Sequence, residues 1–196
     1  MTTSNDFLDR NQFLNLAGLF QGGMVLAALA LAWVLGIDPW HYMAWDARSW
    51  WLAAAATAPL CTLSLAIDRL PLPFTRRLRD MWLETLGPVL VQCRWWELIV
   101  LSMLVGLSEE LLFRGVLQMW LARWSVVGAL VITNLAFAAA HALTPAYAVV
   151  AGVVGLYLGC AMLLTEPPNL LIPVICHAGC DLCSFWCIRR RMLDRV

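Results

Sequence analysis

Lysine is missing from these 196 residues; all 13 Lys/Arg positions are arginine. Charge of either sign is scarce, at 13% of the chain, and 13 acids balance 13 bases. That balance lacks the basic excess by which proteins hold nucleic acid, so no nucleic-acid partner is expected. Polar residues are too few for an ordinary soluble domain: hydrophobic types make up 62%. Such a composition points to a polytopic membrane protein. The basic n-region of a signal peptide is also absent, since Met1 to Arg10 is polar and carries Asp6 and Asp9. Seven cysteines are present, but mostly inside apolar stretches, which gives no disulfide framework. HExxH, GxSxG and Walker-type loops do not occur.

What is present is a series of apolar runs. Residues 1–12 read as a short polar or interfacial tail. Membrane-spanning helices are expected at 13–36, 49–67, 95–122, 124–143, 145–165 and 170–188. The predicted fold class is therefore all-α, with about six transmembrane helices in one bundle. Gly18, Gly22 and Gly23 are expected at helix contacts in the first span, and Pro59 at a kink in the second. Ala151, Gly155 and Gly159 recur every four residues in the fifth span, which suits close helix packing. Residues 38–48 carry Trp40, Tyr42 and Trp45 and read as an aromatic belt at a membrane surface. Between Asp68 and Arg94 lie Arg69, Arg76, Arg77, Arg79 and Arg94. That stretch reads either as a surface-lying helix with Phe74, Leu78, Met81, Trp82 and Leu86 on its apolar face, or as a plain basic loop.

The chain divides into an N-terminal region at 1–94, a core at 95–188 and a basic tail at 189–196. Six spans put the 68–94 stretch and Arg189-Arg190-Arg191 on one side. The positive-inside rule makes that side the cytoplasm and sends both termini there. The expected setting is a bacterial inner membrane, with the bilayer itself as one partner.

Within the core, Ser108-Glu109-Glu110-Leu111-Leu112-Phe113-Arg114-Gly115 sets two carboxylates and an arginine inside an apolar run. Each ion at mid-helix costs about 2.5–3.5 kcal/mol, whereas each Leu, Ile, Val or Phe returns only about 0.3–0.6. Three ions offset most of what the apolar residues supply, so partners must satisfy them. Intramembrane ionisable groups read as functional by default. A Glu110–Arg114 pair at i,i+4 neutralises two of the three and leaves Glu109 over, about 100° around the helix. His141 is the single ionisable group of the fourth span; alone, it reads as a satisfied core histidine. His177 and Asp181 follow at i,i+4 in the sixth, where a carboxylate can orient an imidazole. Two histidines and three carboxylates in three apolar helices are hard to explain as packing. Cys176, Cys180, Cys183 and Cys187 share one helical stripe and cannot wrap a tetrahedral metal from one helix. Ser108 is a candidate nucleophile that nothing singles out.

Glu109-Glu110 with Arg114, Phe137 with His141, and His177 with Asp181 resemble, in order, the three motifs of the CPBP group of intramembrane glutamic endopeptidases. The group is named for CAAX-protein and bacteriocin processing, and the resemblance covers roughly 95–188. It implies peptide hydrolysis without a metal or other cofactor, acting on a membrane-associated protein or peptide. By that resemblance Glu109 and His141 activate water, Glu110 with Arg114 supports the site, and His177 with position 181 stabilises an oxyanion. The commonest family residue at 181 is Asn. Ionised Asp181 cannot donate a hydrogen bond, so it is either protonated or an orienter of His177. Three other readings use the same residues: a metal-dependent protease, a proton-coupled transporter, and a non-catalytic immunity or scaffold protein.

Overall fold

The computed structural model describes residues 8–195. Most of the expected tail lies outside those residues; Asp9 caps the first helix and Arg10 begins it. The elements in order are α1 (Arg10–Leu35), α2 (Ala47–Arg69), α3 (Pro73–Thr85), α4 (Gly87–Leu90), α5 (Trp95–Glu110), a π-helix (Leu111–Gln118), α6 (Met119–Ala122), α7 (Val126–Ala140), α8 (Pro145–Ala161) and α9 (Leu171–Leu193). Short 3₁₀ turns occupy Pro39–Tyr42 and Met162–Leu164. There is no strand among the described residues.

Helix limits follow local chemistry. Asp9 accepts from the Gln12 amide at 2.9 Å while Gln12 reaches back to the Asp9 amide, a reciprocal cap. Gly36 ends α1 with φ 62°, a left-handed conformation that glycine adopts without strain. Asp46, Ser125 and Thr144 cap α2, α7 and α8 with side-chain oxygens. Pro73 and Pro145 sit in first turns, where the missing N–H is not needed.

Among the described residues four helices are long and apolar enough to cross a membrane: α1, α2, α8 with its 3₁₀ extension, and α9. The apolar α7 is shorter, at 15 residues. The run from Trp95 to Ala122 continues through three helical segments. The outer surface is apolar, with Trp33 85% and Leu19 76% exposed, while Glu97, Glu109, Glu110, Arg114 and Gln118 are buried. That inversion is the arrangement a bilayer solvent demands.

α9 runs through the middle and packs most extensively on α2 and α5. Small residues set both crossings. A Cβ at Gly179 would meet Thr57 Cγ2 at 2.5 Å, so α2 lies against α9 there. A Cβ at Gly106 would meet Ala178 N and Val174 O at 2.9 Å, so α5 touches α9 backbone to backbone. The cysteine stripe serves the α2 contact: Cys176 Sγ donates to Ala53 O, Cys183 Sγ to Cys61 O, and Cys180 lies 3.6 Å from Ser64 Oγ.

The glycines of α1 depart from expectation. A Cβ at Gly18, Gly22 or Gly23 meets nothing within 4 Å. The buried face of α1 is set by Gln21, Ala28 and Ala32; Gly22 and Gly23 turn about 100° and 200° away from Gln21. α2 is continuous through Pro59. Next to it, the Ala56 carbonyl accepts from Tyr157 Oη at 2.7 Å.

Between Asp68 and Arg94 the chain is mostly helical, as α3 and α4. α3 is strongly amphipathic and buries Thr75, Leu78 and Leu83, whereas Phe74, expected on the same face, is 43% exposed. Arg79 Nη1 donates to Asp68 O at 2.8 Å, and Arg191 pairs with Asp68. Arg10 pairs with Glu97. These contacts gather the arginine-rich stretch, the start of α1 and the end of α9 at one end of the bundle. At the other end Asn169 ties the two loops, exchanging bonds with Ala44 N and O at 3.1 Å, and Arg123 donates to Gly36 O.

Candidate active site

The six ionisable residues singled out in the sequence come together. Glu109 and Glu110 end α5, where Gly106 brings that helix against α9 and therefore against His177. Arg114 follows on the π-helical turn, a winding that is rare and concentrated at functional sites. His141 caps α7 at its C-terminus, while His177 and Asp181 lie one turn apart on α9.

Glu110 is fully buried and held from two sides. Arg114 Nη1 donates to its Oε1 at 2.7 Å, and His177 Nδ1 lies 2.8 Å from the same oxygen. Arg114 is itself enclosed: Nη2 donates to the Gly155 carbonyl at 2.7 Å, and the guanidinium carbon lies 4.3 Å from the Phe137 ring centre. Gly155 is required by this approach, because a Cβ there would sit 2.5 Å from Asn134 Oδ1 and 3.2 Å from Arg114 Nη2. One turn on, Gln118 Nε2 donates to Gly159 O at 3.0 Å. The glycine spacing in α8 thus exposes carbonyls to the polar face of the preceding span.

Glu109 is placed differently. Its Oε2 is buried yet has no hydrogen-bond partner among the described residues. It faces His141 Nε2 at 3.4 Å and His177 Nε2 at 3.9 Å. His141 Nδ1 lies 2.9 Å from the Phe137 carbonyl, and its ring stacks on Phe137 at 4.3 Å. A carbonyl only accepts, so Nδ1 carries the proton and Nε2 of the neutral ring presents a lone pair to Glu109. Two acceptors then face one another, an arrangement that a water donating to both would complete. Asp181 Oδ2 is 3.8 Å from His177 Nε2.

Beside these groups lies a narrow cavity of ≈ 70 Å³. Phe137, His141, His177 and Asp181 form its inner wall. Trp82 of α3, Ile67 of α2 and Tyr147 of α8 line it toward the arginine-rich end. The N-terminal region, which carries no motif, therefore supplies part of the wall. Ser108 is turned away: its hydroxyl donates to Gln21 Oε1 and Val105 O.

Tyr147, Trp82 and the Gly155 carbonyl are not among the motif residues of the sequence. The four-residue spacing of Gly155 and Gly159 was a usable signal for the carbonyls. Nothing local marks Tyr147 or Trp82, which reach the cavity only through tertiary packing.

Residues 91–183 match the family described as type II CAAX prenyl endopeptidase Rce1-like, a segment that spans all six clustered residues. Neither a curated protein nor a solved structure matches the chain.

Proposed function

Residues 91–183 match the CPBP/CAAX family of membrane proteases, and from that match we propose that the chain is a glutamic endopeptidase of this kind. It hydrolyses a peptide bond of a membrane-associated protein or peptide with a water activated by Glu109 and His141. The observation that carries the reading is Glu109 Oε2, buried, without a hydrogen-bond partner among the described residues, and 3.4 Å from His141 Nε2, which in the neutral ring presents a lone pair to it.

The steps follow from the geometry. A water donates one hydrogen bond to Glu109 and one to His141 Nε2. As its oxygen attacks the scissile carbonyl carbon, a proton passes to this pair. His177 donates Nδ1–H to Glu110, so a proton at its Nε2 makes the ring an imidazolium. That cation is paired by Glu110 and Asp181 and can donate to the developing oxyanion. Arg114 balances Glu110 and fixes its direction. Collapse of the intermediate breaks the C–N bond, and the stored proton goes to the leaving amine. No covalent intermediate and no cofactor enter.

The family description points to a prenylated C-terminal CAAX sequence as the first substrate to try. Trp82 and Ile67 carry the cavity wall toward the arginine-rich end, which supports access from the cytoplasmic face, with both termini on that side of a bacterial inner membrane. The test uses purified protein in liposomes and a peptide ending in an S-farnesylated CAAX sequence, with products read by mass spectrometry. Release of a C-terminal fragment, unchanged by EDTA, is expected. Cleavage abolished by EDTA and restored by zinc would replace this reading with the metal-dependent one.

A further inference from the structure

Hydrolysis as proposed needs donors for the oxyanion, and the cavity supplies few that are uncommitted. Asp181 stands where a donor is required and is a carboxylate. Both Arg114 terminal nitrogens are taken, one by Glu110 and one by Gly155 O. His141 Nδ1 is taken by Phe137 O. Ser64 and Ser184 bond each other at 3.0 Å, and Ser184 also donates to Cys180 O. Among the groups that line the cavity, that leaves His177 Nε2 on the inner wall, the indole N–H of Trp82, and one further polar group whose ring meets that of His141.

We propose that the hydroxyl of Tyr147 is a further catalytic donor, hydrogen-bonding the carbonyl oxygen of the scissile peptide as it takes on negative charge. This inference rests on the proteolytic reading above. Tyr147 lines the same cavity as His141, His177 and Asp181, and its ring centre is 6.1 Å from that of His141. Its hydroxyl makes no hydrogen bond among the described residues, whereas the other tyrosine of α8, Tyr157, spends its hydroxyl on Ala56 O. The ring is held in place. The Tyr147 amide donates to the Thr144 cap at 3.1 Å, and the Trp82 ring meets it edge-on at 5.9 Å. A phenol on a fixed helix start is a preorganised donor, the type of group that stabilises acyl-transfer transition states. It also accounts for an aspartate at position 181: Tyr147 supplies the proton that the carboxylate lacks, and Asp181 is left to pair with His177.

The experiment compares wild type, Tyr147→Phe, Asp181→Asn and the double variant in liposomes on the S-farnesylated CAAX peptide. Losing one oxyanion donor lowers kcat by about 10²–10³. Tyr147→Phe is therefore expected to lose about that factor in kcat with KM within about twofold of wild type, since the bond forms only in the transition state. Asp181→Asn alone is expected to lower kcat, because His177 loses the carboxylate that pairs with it, and its loss is expected to multiply with that of Tyr147→Phe in the double variant, since the two groups act on different partners. Full kcat in Tyr147→Phe, or a rise in KM with kcat unchanged, would overturn the inference while leaving the protease reading in place. A wild type that is silent on the peptide overturns both. Should Tyr147→Phe fail to fold, replacement by 3,5-difluorotyrosine keeps the shape and makes the phenol more acidic. The alkaline limb of kcat is then expected at lower pH, and an unmoved limb contradicts the role.

Discussion

Glu109 and Glu110 are neighbours with opposite circumstances. Glu110 is bonded by Arg114 and His177 and is sealed from solvent. Removing one partner of a buried ion pair costs about 3–5 kcal/mol, because the other charge stays buried and unpaired. Arg114→Ala is therefore expected to lower the melting temperature and the yield of folded protein in detergent, beyond any loss of activity; unchanged melting would deny the structural role. Arg114→Lys should rescue little, since one ammonium cannot span Glu110 and the Gly155 carbonyl as the planar guanidinium does. Position 181 separates two accounts of its own. If a donor is wanted there, Asp181→Asn keeps most of the activity. If an ionised orienter of His177 is wanted, Asn is crippled and Asp181→Glu retains more. Turnover of the two variants on one peptide decides between them. The Glu110–Arg114 and His177–Asp181 pairs were legible in the sequence because i,i+4 spacing depends only on the helix that carries both residues. Glu110's bond to His177 and Arg114's to Gly155 were not, because they depend on where α9 and α8 cross.

Helices bring these side chains together by way of glycine. At Gly155 a methyl group would collide with Asn134, Phe137 and Arg114. Gly155→Ala should force α7 and α8 apart, costing about 1–3 kcal/mol as overpacking does. Activity is expected to fall further than stability, because Arg114 loses its acceptor. Thermal melting and turnover of that variant, beside Gly152→Ala where the nearest atom is an ordinary 3.5 Å away, check the claim. At the end of the bundle away from the arginine-rich stretch, Asp46 caps α2, accepting from the Ser49 hydroxyl and amide. These bonds hold its carboxyl below the usual carboxylate range. Its contribution is thus present above the ordinary aspartate pKa and lost as pH falls through the lowered folded value. The acid-side drop in melting temperature should be shallower in Asp46→Ala than in wild type. Apolar runs made the long helices readable, and the apolar spacing of 74–86 left a helix and a plain basic loop both open there, of which the helix, α3, is what forms. The π-helical winding of 111–118 had no counterpart in that pattern, since apolar periodicity does not report which carbonyl each amide reaches. The α1 glycines misled for a related reason: small residues permit contact, and the neighbouring helix decides whether it occurs.

For the whole molecule, the bundle has a basic end and a nearly arginine-free end, and the cavity leans toward the basic one. Arg69, Arg76, Arg77, Arg79, Arg94 and Arg189 to Arg191 gather there, against Arg48 and Arg123 opposite. By the positive-inside rule the basic end is expected in the cytoplasm. A reporter fused after Val196 is expected to read as cytoplasmic; an external reading would move the opening of the site to the other face. The match of residues 91–183 to a CAAX endopeptidase family and the apolar exterior both fit the proposed membrane protease. What ties fold to chemistry is Glu109, a buried carboxylate that makes no hydrogen bond among the described residues, whereas Glu110 is bonded through Oε1. Glu109→Gln keeps the shape of that side chain and removes the base. Cleavage of the S-farnesylated CAAX peptide by the folded Glu109→Gln protein in liposomes is therefore the most direct measurement. Turnover at background with a melting temperature near that of wild type is the expected result, and full turnover by Glu109→Gln would contradict the glutamate-activated water at the centre of this account.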